Sequence, residues 1–498
     1  MKLKTLTILI LLIVLGFFLR IYRLGAADFK EDEHFTIKAA AYQYYCRQDN
    51  NNCRYQPTSF NSRLKALIRN NETKPNLLTE IYFWDFASQS PTLISANRAW
   101  PHSLILSRAY SILGISEFSS RIVSVIAGSL LMLFSYFLSL YFSKSRLISL
   151  VYTALIATSF PLIEYSRHAR MYSLFILVFP LLCLLIYQLL HKRFSLIKFG
   201  FTVLVFLLAY WLHLLTLILP VSLLIYTAYF GLIKKHQRLK QVFLVLFSCL
   251  FITLALSFWL NINFFHSYFF SVTPVFRWQY FRFILEYPLP AIVSAVIIIP
   301  VLPQLFKHRQ SAYLLTIILT YSFFLTFFSQ KPAGSAYIVH LLPLTMLLLL
   351  MAIDLAVKKT LKQYIYFFII LISVTRLILL SNYLYYGRDD RPRLQLAYQV
   401  IKNQLKPDQQ ILGIQVKDYY LQNLPVKTPI INLAEKQALS VNELLNLLNQ
   451  SSASYIVWEK EKFAHFQPEV IELVKTSAQK LAGEGLDDYG VEIYYLEK

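Results

Sequence analysis

Long apolar runs separated by short polar stretches set the organisation of this chain. The first run covers about Thr5–Tyr22, and others fall near 120–142, 147–163, 172–190, 199–213, 215–233, 242–262, 288–306, 312–328, 337–356 and 364–382. Each is close to the ~20 residues a helix needs to cross a bilayer, so the pattern predicts about eleven membrane spans. A long polar loop, about 24–104, separates the first two runs. Beyond about Tyr385 charged residues return, and strand-like runs occur at Gln410–Val416, Pro429–Leu433, Ser454–Trp458 and Val491–Leu496. Helical patterns at Val441–Asn449 and Pro468–Leu481 alternate with them, the signature of a small α/β domain. The expected architecture is a polytopic α-helical membrane domain over 1–384, containing the loop 24–104, followed by an α/β domain over 385–498.

Charge refines that picture. The chain is 56% hydrophobic and only 15% charged, against about 25% for an ordinary soluble protein. Its net charge of +21 would suit nucleic acid, but the basic residues are dealt out between apolar runs, which excludes that reading. Lys144 and Arg146 follow the second run; Lys192, Arg193 and Lys198 the fourth; Lys234, Lys235, Arg238 and Lys240 the sixth; Lys307 and Arg309 the eighth; Lys358, Lys359 and Lys362 the tenth. Every second loop is basic, which places these loops and the N-terminus in the cytoplasm. The first long loop, the Arg167–Arg170 segment, the 263–287 loop and the C-terminal domain then lie outside a plasma (inner) membrane. Lys2 and Lys4 precede the first run as in a signal peptide, but no small-residue cleavage site follows and Arg20 and Arg23 flank the exit. The first run reads as a retained helix.

Candidate chemistry gathers on the outer side. Glu31-Asp32-Glu33 lies just past the first span. Asp32, with Glu33 beside it, can act as general base toward an acceptor hydroxyl, or Asp32 can hold a divalent cation such as magnesium or manganese that offsets phosphate charge. A solvated acidic turn is the plain alternative. Between the third and fourth spans runs Glu164-Tyr165-Ser166-Arg167-His168-Ala169-Arg170-Met171-Tyr172. Arg167 and Arg170, three residues apart, suit a phosphate; snorkelling helix-end arginines are the alternative. Arg277, Trp278 and Arg282 read as an interfacial anchor, and His102, His213 and His340 each sit near an outer helix end as packing histidines. Cys183 and Cys249 fall in apolar runs, whereas Cys46 and Cys53 share the outer loop, where a disulfide or two free thiols are both open. No phosphate-binding glycine loop is present, so a nucleotide site lacks support and a donor on this face is better carried on a lipid.

These features together resemble the GT-C membrane glycosyltransferases, in particular the family of dolichyl-phosphate-mannose protein mannosyltransferases and the bacterial aminoarabinose transferase. The resemblance rests on Asp32-Glu33-His34-Phe35, on Leu113-Gly114-Ile115-Ser116-Glu117-Phe118-Ser119-Ser120-Arg121, on Ser166–Tyr172, and on the layout of spans, loop and terminal domain. It implies transfer of a sugar from a polyprenyl-phosphate donor, with inversion, to a protein, lipid or glycan acceptor. Arg167 and Arg170 would hold the lipid phosphate, and Asp32 with Glu33 would supply the base or metal-side carboxylate. The chain departs from the family at His168, where relatives carry an acid that Glu164 could replace, at Trp100-Pro101-His102 and at Ala336-Tyr337. Tyr172 and His102 are supporting candidates. A transporter or flippase reading fits less well: the chain has only 12 glycines and no internal repeat. A binding protein for lipid-linked glycans separates from a transferase only by activity.

Overall fold

The computed structural model describes residues 3–25, 99–192, 194–230, 291–328 and 335–381. It also describes Glu33, Thr36, Ile37, Ala40, Ser248 and Phe251, and the segments 80–84, 91–95, 410–413, 430–432, 441–442, 453–459, 468–480 and 491–495. The chain packs as two units: Met1–Leu24 with Gln56–Glu80 and Ser95–Ser381, and Gly25–Tyr55 with Ile81–Ile94 and Asn382–Lys498.

In the first unit the apolar runs are helices: α1 (Leu3–Ile21), α2 (Trp100–Leu113), α3 (Glu117–Ser143), α4 (Arg146–Thr158), α5 (Phe160–Ser166), α6 (Tyr172–His191), α7 (Leu196–Leu212), α8 (Ile218–Ala228), α9 (Ala291–Lys307), α10 (Arg309–Phe328), α11 (Leu342–Ala356) and α12 (Lys359–Leu379). By length and apolarity six described helices, counting the turn Val339–Leu341 with α11, can cross a membrane, or seven if α4 and α5 form one span. The run 242–262, the Arg277–Arg282 anchor, Cys46, Cys53 and Cys249 lie outside the described residues. Local signals start and stop these helices. Ser116 and Ser119 form a reciprocal capping box at the start of α3, the Ser119 amide donating to Ser116 Oγ over 3.1 Å. Gly114, at φ +68°, ends α2 in a conformation that a Cβ would oppose.

One predicted span is not straight. The run 147–163 breaks into α4 and α5 with a 57° bend. Pro161 has no N–H, so the Ala157 carbonyl loses its usual donor four residues on, and Ser159 turns extended at φ −65°, ψ 115°. α3 packs against α1, α2, α4 and α6, and its buried face carries Ser119, Ser120, Arg121, Ser124, Ser135 and Ser139. The apolar faces of α1 (Leu3, Leu11, Phe18) and α12 (Tyr364, Phe367, Phe368) stay exposed, as surfaces that meet lipid do.

In the second unit β3 (Gln410–Gly413), β4 (Ile430–Asn432), β5 (Ala453–Glu459), β6 (Gln479–Lys480) and β7 (Val491–Tyr495) form one sheet in the order β4-β3-β5-β7-β6. β3 runs parallel to β4 and β5, with Ile411 beside Ile430 and Tyr455. β7 runs antiparallel to β5 and β6. Val470 and Val474 of α13 (Pro468–Ser477) are buried, as are Ile456, Ile493 and Tyr494. The expected helix Pro468–Leu481 is shorter than its pattern, because Gln479–Lys480 pairs with β7 and the Lys480 ammonium meets Glu492 at 3.3 Å. Within residues 24–104, where the sequence pattern predicts loop, β1 (Glu80–Trp84) and β2 (Pro91–Ser95) form a two-stranded sheet.

Candidate functional site

The site begins with a charge that sequence reading placed at the membrane surface. Arg20, near the end of α1, is fully buried. Its Nη1 donates to the carbonyls of Gly16 (2.8 Å) and Ala157 (3.3 Å), its Nη2 to Ile156 O (3.0 Å), and its Nε to Ser166 Oγ (3.3 Å). The Ala157 carbonyl is the one Pro161 orphans, so Arg20 fills the hydrogen-bonding gap at the α4–α5 break. Space for the guanidinium comes from Gly128 of α3: a Cβ there would run into Ser166 Oγ and lie 3.0 Å from Arg20 Nε.

Arg167 points the other way. Its Nη1 donates to the carbonyls of Arg20 (2.9 Å) and Tyr22 (2.6 Å), and its Nη2 to Arg23 O (3.2 Å). Only 6% of the side chain surface is exposed, so this guanidinium caps the C-terminal carbonyls of α1. That is a different use from the phosphate contact expected of it. Arg121, quoted above only as part of a resembling motif, adds a bond from Nη1 to Leu24 O at 3.0 Å. Two arginines therefore fix the stretch of chain that leads into the acidic triplet.

Arg170 lies beyond this cap, its guanidinium carbon 5.7 Å from the centroid of the Tyr172 ring. Tyr172 neighbours His213 at 6.1 Å between centroids, and His213 stacks on Phe175 at 5.1 Å and meets Tyr337 at 6.1 Å. His340 packs against Phe175, Phe179 and Tyr321. The segments 164–175, 211–216 and 335–340, each expected outside on loop charge alone, thus meet at one end of the bundle. Glu164 and His168 are one helical turn apart, with Oε1 and Nε2 at 4.0 Å, and both are partly exposed. His102 of α2 is fully buried beside Ser124. Burial and the nearby Arg170 charge pull its pKa down to about 3, so the ring is neutral. The aromatic partners of His213 and His340 were beyond sequence reading, because only the fold brings α6 and the residues before α8 and α11 together.

Asp32 lies outside the described residues. Its neighbour Glu33, in the second unit, is helical and fully buried, as are Ile37 and Ala40, with Thr36 nearly so. These positions follow the i, i+3, i+4, i+7 spacing of one helix face. A solvated turn would leave Glu33 in water, and it does not. Among the described residues, no group of three or more His, Cys, Asp or Glu side chains is placed to hold a metal ion.

The chain shares its fold with solved structures of ArnT and of an archaeal oligosaccharyltransferase. The solved structures it resembles include ArnT from Cupriavidus metallidurans bound to undecaprenyl phosphate, at TM-score 0.56 and 11% identity over 99% of this chain and 97% of that one. The same protein in its apo state gives TM-score 0.58 and 11% identity over 98% and 97%. The Archaeoglobus fulgidus oligosaccharyltransferase in its apo form gives TM-score 0.55 and 10% identity over 93% of this chain and 70% of that one. No family model and no curated relative matches the sequence.

Proposed function

We propose that this protein is an integral-membrane glycosyltransferase of the plasma (inner) membrane that moves a sugar from a polyprenyl-phosphate donor to an acceptor on the extracytoplasmic face. The observation that carries the reading is a fold shared with membrane glycosyltransferases over nearly the whole chain, ArnT with its undecaprenyl phosphate among them. Arg170, beside the aromatic group Tyr172, His213 and Tyr337, is the candidate ligand for the lipid phosphate. Arg167 acts on the protein itself by holding the end of α1. Asp32, next to buried Glu33, takes the proton of an acceptor hydroxyl as its oxygen bonds to the anomeric carbon. The bond from that carbon to the phosphate oxygen breaks, polyprenyl phosphate leaves, and attack from the opposite face inverts the centre. Asp32 is also the candidate holder of a divalent cation, whose charge would offset the phosphate. Glu164 and His168, both partly exposed, are supporting candidates.

The test is sugar release from radiolabelled polyprenyl-phosphate sugars by purified protein, with crude membranes as acceptor, for wild type beside Asp32→Asn and with or without a chelator. Turnover by wild type alone supports both the class and the base. Equal turnover by both proteins removes Asp32 from the mechanism, and chelator sensitivity separates the cation role from the direct one. Absence of turnover across a broad donor panel points instead to a lipid-glycan binding protein or a transporter.

A further inference from the structure

Beneath Arg170 a buried serine fixes two neighbours at once. The Ser124 hydroxyl lies 3.2 Å from the Arg170 carbonyl and 3.4 Å from His102 Nε2. A hydroxyl carries one proton, and a carbonyl can only accept it, so the proton goes to Arg170 O. Ser124 Oγ then accepts from His102, which places the ring proton on Nε2 and leaves the lone pair on Nδ1. That Nδ1 is buried and has no hydrogen-bond partner among the described residues. Leaving a buried acceptor unmade is costly, so a site of this kind calls for a donor. The serine is itself anchored, since Ser173 Oγ donates to Ser124 O at 2.8 Å. α2, α3, the Arg170 turn and α6 are tied at one residue.

We propose that Ser124 is a positioning residue that sets the Arg170 turn and presents His102 Nδ1 as an acceptor for a hydroxyl on the ligand that Arg170 holds. The chemistry at this corner is a cation for a phosphate next to a neutral acceptor for a hydroxyl. A sugar carried on a lipid phosphate brings both groups together, and bare polyprenyl phosphate brings only the first. The inference rests on the transferase reading and deepens it, by assigning sugar recognition to a residue distinct from the phosphate ligand.

Binding separates the two. Full-length protein in nanodiscs is titrated with polyprenyl phosphate and with its mannosyl, glucosyl and galactosyl derivatives. His102→Leu should bind the bare lipid as wild type does and lose about tenfold in affinity for whichever sugar-bearing lipid wild type prefers. Ser124→Ala should weaken bare and sugar-bearing lipids alike, through Arg170, and Ser124→Thr, which keeps the hydroxyl, should restore both. The 15N spectrum of histidine-labelled protein, assigned by the signal missing in His102→Leu, should show the Nε2–H tautomer at His102. If wild type binds none of these lipids, the transferase reading fails and this inference with it. If wild type binds them and His102→Leu loses nothing, or loses bare lipid equally, only this inference fails. An Nδ1–H tautomer overturns it independently of any ligand.

Discussion

Arg167 donates to the backbone carbonyl of Arg20 at 2.9 Å, while the Arg20 guanidinium serves carbonyls of another helix. Arg20, from the end of α1, donates to the Ile156 and Ala157 carbonyls at the α4–α5 break, and Arg167, from the end of α5, donates to the Arg20, Tyr22 and Arg23 carbonyls that close α1. The exchange joins a helix end and a helix break that lack internal donors, inside a region where water cannot substitute. Arg20→Met should therefore lower stability by about 1–3 kcal/mol, as two buried carbonyls lose their donor. Arg20→Lys should recover part of that, since one ammonium cannot span the acceptors of a planar guanidinium. Thermal unfolding in detergent reads both, and an unchanged midpoint for Arg20→Met would mean that the α4–α5 break finds other donors.

Arg167 and Arg170 were equivalent on the page of the sequence, and the structure separates them. Arg167→Lys should lower thermal stability and activity together, because the end of α1 loses its planar donor. Arg170→Lys, at a half-buried position, should lower stability less than Arg167→Lys and weaken binding of polyprenyl phosphate by about tenfold. Equal losses of stability in the two variants would return Arg170 to the class of structural helix-end arginines.

The contrast shows where sequence reading runs out. Helices and their approximate ends were legible, because apolar run length reports the bilayer directly. Pro161 stood in plain view inside a predicted span, yet its consequence depends on Arg20, 141 positions earlier by the numbering. Arg20 itself read as a surface flank, since nothing local to α1 announces that Gly128 and Ser166 leave a polar slot for it. The acidic triplet was legible as candidate chemistry. That Glu33 is buried was not, because its helix face emerges only with Thr36, Ile37 and Ala40.

Two helical glycines offer a packing test of that slot. A Cβ at Gly128 would collide with Ser166 Oγ and crowd Arg20 Nε, whereas one at Gly200 would meet nothing within 4 Å. Gly128→Ala should cost about 1–3 kcal/mol by overpacking. Gly200→Ala should gain about 0.5–1 kcal/mol from helix propensity and reduced unfolded-state freedom. The two unfolding midpoints should move in opposite directions, and a neutral Gly128→Ala would show that Arg20 can be displaced without cost.

The buried His102 makes stability depend on acid. Its pKa in the folded protein is drawn down to about 3 by burial and then by Arg170, below the ordinary value near 6.5. Between these values the unfolded chain binds the proton and the folded one does not, so stability rises with pH across the window and falls as pH drops from 6.5 toward 3. From pH 6.5 to 5 this single group should remove about 2 kcal/mol. His102→Leu, of similar volume and without a proton to bind, should flatten that part of the profile and leave stability above pH 7 nearly unchanged. Unfolding midpoints of wild type and variant, measured from pH 8 to 5, should therefore nearly coincide above pH 7 and separate as the medium acidifies, with wild type falling below the variant. Parallel curves over that range would place the acid sensitivity elsewhere and would mean that His102 takes up its proton without unfolding.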